Sequence, residues 1–201
     1  MGKGSRYCAP YRRRKEGKTD YQARKALILS GKPRLVVRGT LKNISAQIAI
    51  AKSEGDNVLV SAHSRELKDF GWKVARGNVS AAYLTGLLCG LKAKAKGIEE
   101  SILDIGLHAP SKGARIFATL KGVLDAGMDV PHSEEKLPDE KRIKGEHIAQ
   151  LAKSLSSNPE QYQARFSKYL EQKIPPENLS DSFTEVKKNI VAAFKSGGKK
   201  A

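Results

Sequence analysis

The chain begins with a block of positive charge that no folded core could absorb. Residues 3–38 carry twelve lysines and arginines against two acids, Glu16 and Asp20, a net +10 of the chain's +16. Like charges at that density repel. A segment without apolar periodicity cannot bury enough surface to offset the repulsion, so a block of this kind does not fold alone. A polyanion would neutralise it. Tyr7, Tyr11 and Tyr21 interleave with Arg6, Arg12, Arg13, Arg14, Lys15, Lys18, Arg24 and Lys25. That mixture suits RNA, because aromatic rings stack on unpaired bases while cations displace counterions from phosphates. A solubilising or import-type basic tail is the competing reading. The block, however, continues well past the four adjacent basic residues Arg12 to Lys15 and runs into a strand.

Composition bounds the rest. With 201 residues and 39% hydrophobic content, the chain suits one moderate core with extensions, or two small ones. Cys8 and Cys89 stand far apart without companions, which argues against a disulfide framework and a cysteine zinc site. His63, His108, His132 and His147 share no metal-ligand spacing. No metal or cofactor is expected. The most apolar run, 81–91, is too short to span a bilayer, and the basic N-terminus lacks the apolar stretch of a secretory signal. A cytoplasmic location is the expectation.

The hydrophobic pattern divides the chain into three parts. Residues 1–31 read as a basic arm, extended through Thr19 and then helical over Tyr21–Leu29, with Thr19 or Asp20 as cap. Residues 32–131 read as an α/β core. Strands are predicted at Arg34–Thr40, Ile44–Ala51 and Asn57–Ser64, joined by short turns, the first of which holds Lys42 and Asn43. Short links imply an antiparallel meander. A helix over Val79–Lys96, a strand over Ser101–Gly106 and a helix over Arg115–Ala126 follow. Gly86 and Gly90, four apart, would let the first helix lie close on the sheet. Residues 132–201 read as a loop, 132–145, and then a helical extension with helices at Gly145–Leu155, Pro159–Gln172 and Asp181–Lys195. The predicted fold class is α/β. A mixed sheet is built from the β-meander followed by α-β-α, with helices on one face, a basic N-terminal arm and a helical C-terminal extension.

Alternation assigns the faces of that sheet. Leu35 and Val37, then Ile44, Ala46, Ile48 and Ile50, then Val58, Val60 and Ala62 form the apolar side. Arg34, Val36, Arg38, Gln47 and His63 form a mixed basic side that an antiparallel sheet can leave uncovered. It is either an RNA platform or an ordinary solvated face. No active site emerges. Asp104, before Gly106, is the one notable carboxylate, but a metal nuclease needs partner carboxylates on neighbouring strands, and only Asp56 lies near. A structural role for Asp104 is the stronger expectation. An RNA-processing nuclease using Asp104 and a basic-tailed protein-interaction module remain the alternatives to a structural RNA-binding protein.

Several motifs in order resemble one family. YRRRKEGKTDYQARKALILSGKPRLVVR at 11–38, LVSAHSRELKDFGWK at 59–73, the run from SAAYLTGLLCGLKAKAKG to LDAGMDVPHS at 80–133 and PDEKRIKGEHIAQ at 138–150 carry the likeness. They resemble the universal large-subunit ribosomal protein eighteen family in its archaeal and eukaryotic form, and the length is nearer the archaeal members. The resemblance implies 5S rRNA as partner, with contacts to 23S rRNA and to the large-subunit protein five family in the central protuberance. It implies a non-enzymatic protein in the ribosome. The rRNA contacts it suggests are Arg6, Tyr7, Tyr11, Arg12, Arg13, Arg14, Lys15, Lys18, Thr19, Tyr21, Arg24, Lys25, Arg34, Arg38, Lys42, Asn43, Gln47 and His63, with Lys112 and Arg115 from the loop after the fourth strand.

Because the arm has no apolar period, its amides are expected to exchange with little protection through Thr19 in free protein and with more when RNA is bound. Amide hydrogen exchange in the two states checks this.

Overall fold

A computed structural model of the protein describes residues 4–172 and 174–195. Lys3 and the expected fraying of residues 196–201 lie outside these. Among the described residues there are eight α-helices and one four-stranded sheet of order β3-β2-β1-β4. The strands are β1 (Arg34–Gly39), β2 (Ile44–Lys52), β3 (Gly55–His63) and β4 (Ile102–Asp104). β1, β2 and β3 form the antiparallel meander, and β4 adds in parallel beside β1. The mixed α/β sheet therefore stands as the sequence predicts.

The arm is not extended throughout. One helical turn, α1 (Arg12–Lys15), forms where the carbonyl of Tyr11 accepts from the amides of Arg14 and Lys15, both at 3.0 Å. Glu16 follows the turn as its C-cap, its amide donating to the Arg12 carbonyl at 2.9 Å. Its carboxylate lies 3.6 Å from Arg12 and 2.8 Å from Lys18 and offsets part of the local repulsion. α2 (Tyr21–Leu29) then starts where Asp20 accepts from the amides of Gln22 and Ala23 at 2.9 and 3.2 Å, satisfying two orphan N–H groups of the first turn.

The core is organised around α3 (Val79–Ala95). Asn78 caps it by accepting from the Ala81 amide at 2.8 Å. Every residue from Ser80 to Gly90 is buried, so the helix is apolar all round. One side packs on Ile44, Ala46, Ile48, Val60 and Ala62 of the sheet and another on α4 (Arg115–Asp125). Gly86 and Gly90 do not face the sheet, as their spacing suggests, but α4: a methyl at Gly86 would overlap the carbonyl of Thr119, and one at Gly90 would stand 2.6 Å from the Ala126 Cβ. Gly122 of α4 answers from the other side, where a methyl would overlap the Tyr83 carbonyl. Two helix backbones thus meet with no side chain between them at that crossing. Cys89 is buried nearby and weakly donates its thiol to the Ala46 carbonyl at 3.7 Å, and burial pushes its pKa up to about 12. It is an inert core thiol at neutral pH.

The stretch 132–145 is not simply a loop. A 3-10 turn (Glu134–Lys136) and a short helix, α5 (Glu140–Lys144), form there, because Ile143 anchors the segment in the core. Then come α6 (Glu146–Leu155), α7 (Pro159–Glu171) and α8 (Leu179–Lys195). In α6 the expected apolar stripe is only partly used: Ala152 is buried while Leu151 is exposed. In α8, Leu179, Phe183, Val186 and Ile190 join the same apolar cluster as the sheet and α3. Tyr83 ties three helices at that junction. Its hydroxyl donates to Asp125 at 2.6 Å and accepts from Lys187 at 2.7 Å, and its ring meets Phe183 with centroids 5.5 Å apart. Burial, then the Asp125 carboxylate, pushes the Tyr83 phenol far above its ordinary range. Trp72 is tucked over the core edge, donating its indole N–H to the Ala75 carbonyl at 3.2 Å.

The outer edge of β3 is guarded. Lys96, at the C-cap of α3, and Lys92 within it reach the edge carbonyls of Leu59 and Ser61 at 2.8 and 3.2 Å, which blunts the edge against pairing with another chain.

Gly86→Ala is expected to destabilise the protein by about 3 kcal/mol or more, because both backbones at the α3–α4 crossing must part. Gly39→Ala is the control, since its methyl would find only ordinary contact, 3.6 Å from Arg115 Nη2. Denaturant unfolding of the two variants checks the contrast.

Candidate nucleic-acid interface

The arm presents most of the predicted contacts to solvent. Arg6, Tyr7, Tyr11, Arg12, Arg13, Arg14, Lys15, Lys18 and Lys25 are exposed, while Thr19, Tyr21 and Arg24 are half-buried. Arg13 donates to the Thr19 hydroxyl at 2.8 Å. Tyr11, 72% exposed, leans on Tyr21 with ring centroids 5.0 Å apart, so the two rings form a small aromatic platform. Arg6, Arg14, Lys15 and Lys25 make no side-chain hydrogen bond or ion pair among the described residues. Their charge is unanswered among the described residues.

The open sheet face is built differently, and the cause is a fault in β3. The register of β2 with β3 slips after Ile48 and Val60, so that Ala49 pairs with Val58 and Leu59 is the extra residue. Every side chain before the slip changes face. Val58, expected in the apolar set, is 45% exposed, and Ile50 stands at the sheet's end, also exposed. The same slip brings Asp56 onto the open face, where it lies 2.7 Å from Arg34 and 2.7 Å from Arg24 of α2. On the far side Arg34 lies 3.0 Å from Asp104, whose other oxygen accepts from Arg38 at 2.8 Å. The result is a ladder, Arg24–Asp56–Arg34–Asp104–Arg38, running from α2 across β3, β1 and β4.

This ladder fixes the roles of its members. Arg34 is only 1% exposed, enclosed by two carboxylates instead of facing solvent. Its Nε and Nη2 find no hydrogen-bond partner among the described residues, while Nη1 donates to Asp104, so close charge contact carries much of its stabilisation. Burial by itself would raise the Asp56 pKa, but the adjacent Arg34 and Arg24 guanidiniums outweigh it and hold that carboxyl below its ordinary 3.8. Asp104 spends both oxygens on Arg34, Arg38 and the Gly106 amide, the last at 2.9 Å. These partners make Asp104 a structural carboxylate that joins two strands and the loop after β4.

The other predicted contacts are scattered over the sheet and its loops. Gln47 and His63 are half-buried on β2 and β3, and His63 Nδ1 accepts from the Arg65 amide at 3.1 Å. Lys42 is exposed in the β1–β2 turn, beside a fully solvated Leu41. Asn43 is tied into that turn, its amide donating to Thr40 Oγ1 at 3.0 Å. Lys112 is exposed, whereas Arg115 donates to the carbonyls of Thr40 and Gly77 at 2.8 and 3.0 Å and braces the turn against α4. Reasoning from sequence missed Asp56 and Gly106 as parts of this face. The signal was available only in part: a GlyAsp pair at a strand start is visible, but the slip that turns it is not.

Comparison with known families matches residues 5–99 and 92–133 to the model for ribosomal large subunit proteins 60S L5 and 50S L18. The chain belongs to that family. It is a large-subunit ribosomal protein, a structural and non-enzymatic part of the ribosome whose partners are rRNA and other ribosomal proteins. No helix among the described residues is long and apolar enough to cross a membrane.

Asp56→Asn should cost about 1–3 kcal/mol at neutral pH, since it leaves Arg34 with a single carboxylate. The folded pKa of Asp56 lies below its unfolded value, so its contribution is full above that unfolded value and is lost as pH falls through the folded one. The stability gap between wild type and variant should therefore close on acidification below about pH 4, as read by urea unfolding at stepped pH.

Proposed function

We propose that the protein binds 5S rRNA and helps attach it to 23S rRNA in the central protuberance of the large subunit, next to a member of the protein five family. The observation that carries this reading is the arm. It holds most of the chain's excess charge, and Arg6, Arg14, Lys15 and Lys25 meet no acid among the described residues. Such a surface is stable when phosphates answer it. The Tyr11–Tyr21 pair lies among those cations and offers a stacking surface for an unpaired base. Membership in a large-subunit family supports the same reading, since the available polyanion there is rRNA. The mechanism is release of counterions by the arm, with a rigid α/β core holding the arm in register; no turnover is involved.

Replacing Arg12, Arg13 and Arg14 with alanine should flatten the log–log salt dependence of 5S rRNA binding by about 2–3 units if each meets a phosphate. Lys153, Lys168 and Lys188 of the C-terminal helices, exposed and without side-chain partners among the described residues, serve as the charge-matched control. Lys187 is unsuitable as a control because it braces Tyr83. Filter binding across a salt series reads both triple variants; an equal loss in the two would mean that net charge, not the arm, governs binding.

A further inference from the structure

Arg38 is held in a way that leaves one particular edge free. Its Nη1 donates to the carbonyls of Val37 and Asp104 at 2.8 and 2.7 Å, and its Nη2 donates to Asp104 Oδ1 at 2.8 Å. Gly106 lies flat against the guanidinium: a methyl there would stand 2.8 Å from Cζ and 2.9 Å from Nη2. With φ +65 as well, that position suits glycine on both counts. Three of the five donors are thus spent, all on the Nη1 side and the outer end of the fork. The other edge, Nε–H with the second Nη2 proton, has no partner among the described residues, and the side chain is 40% exposed.

We propose that this edge is a phosphate clamp, which takes two oxygens of one RNA phosphodiester. The inference rests on the rRNA reading above and adds a fixed point to it. Two parallel N–H groups match two phosphate oxygens in a plane. The charge balance points the same way. The ladder holds three guanidiniums and two carboxylates, Arg34 is sealed inside it, and the surplus positive charge is shared by its two part-exposed ends, Arg24 at 33% and Arg38 at 40%, of which Arg38 stands on the sheet face. The guanidinium is already immobilised by Asp104 and Gly106, so binding costs little side-chain entropy. Asp104 and Gly106 are then positioning residues for the contact.

The test uses the full chain and a 5S rRNA transcript, with filter binding over a salt series and a thermal melt of each variant. Arg38→Ala should weaken binding by about tenfold or more and lower the salt slope by about 0.7–0.9. Arg38→Lys should lose affinity with a slope near wild type, because a point charge stays but the fork is gone. Gly106→Ala, which keeps every charge, should also weaken binding by displacing the guanidinium. If Arg38→Ala melts early, the other two variants decide. Wild-type affinity in Arg38→Lys and Gly106→Ala overturns the clamp. So does a weakening in Arg38→Ala with the full wild-type slope, which would place the contact on a base edge. Failure of the wild-type protein itself to bind 5S rRNA overturns the rRNA reading and the clamp with it, whereas wild-type binding with indifferent variants overturns the clamp alone.

Discussion

A buried charge sets the terms for much of this structure. Arg34 is sealed in the sheet, and removing an isolated guanidinium from water costs several kcal/mol even after relaxation. The cost is met by carboxylates on both sides, and each has to be delivered by a different part of the chain. Asp104 comes from β4, so β4 must pair with β1. Asp56 comes from β3, so β3 must carry its bulge. Arg24 then joins Asp56 from α2, which fixes how the arm leaves the core. An apolar residue at position 34 would be cheaper to bury. What the arginine adds is a demand for one register in two strand pairings and one seat for α2.

The helices answer a second constraint, close approach. α3 can be apolar all round only because three surfaces cover it, and the α4 surface comes near because Gly86 and Gly122 remove the side chains between the backbones. Tyr83 lies one turn from that crossing. Its ring belongs to the core while its hydroxyl reaches Asp125 and Lys187, so α8 is held to α3 and α4 by apolar packing and by a polar pair at once. The C-terminal helix therefore contributes Leu179, Phe183, Val186 and Ile190 to the same cluster that the sheet uses.

What could be read from the sequence follows from how local each signal is. The meander, α2, α3 and α4 were legible because alternation, caps and helical spacing are short-range. The identity of the partner class was legible from the charge block and from motifs in order. The bulge was not, since Val58, Val60 and Ala62 alternate cleanly and only the pairing with β2 shows the slip. For the same reason Asp56 was not seen as the counterpart of Arg34, and Gly86 was assigned to the sheet when its partner was a helix 36 residues away at Gly122. The turn at Arg12–Lys15 escaped because four adjacent basic residues argue against a helix, and Glu16 tips the balance only through contacts with Arg12 and Lys18.

The placement of the acids separates two functions of the arginines. Asp56 and Asp104 are spent on the sheet's own arginines, so much of the charge of Arg34 and Arg38 is answered within the sheet. The arm has only Glu16 and Asp20, and Asp20 is committed to capping α2. Most of the protein's long-range positive field therefore originates in the arm, where it is screened by salt and has no fixed direction. The sheet face contributes little field, but its side chains are held at fixed distances by the ladder. Attraction without orientation would give non-specific RNA binding, and orientation without attraction would give a weak complex. Because α2 sits on Asp56 through Arg24, the helical end of the charged arm is tied directly to the fixed face, and the two are joined by a single ion pair and not only by the chain between them.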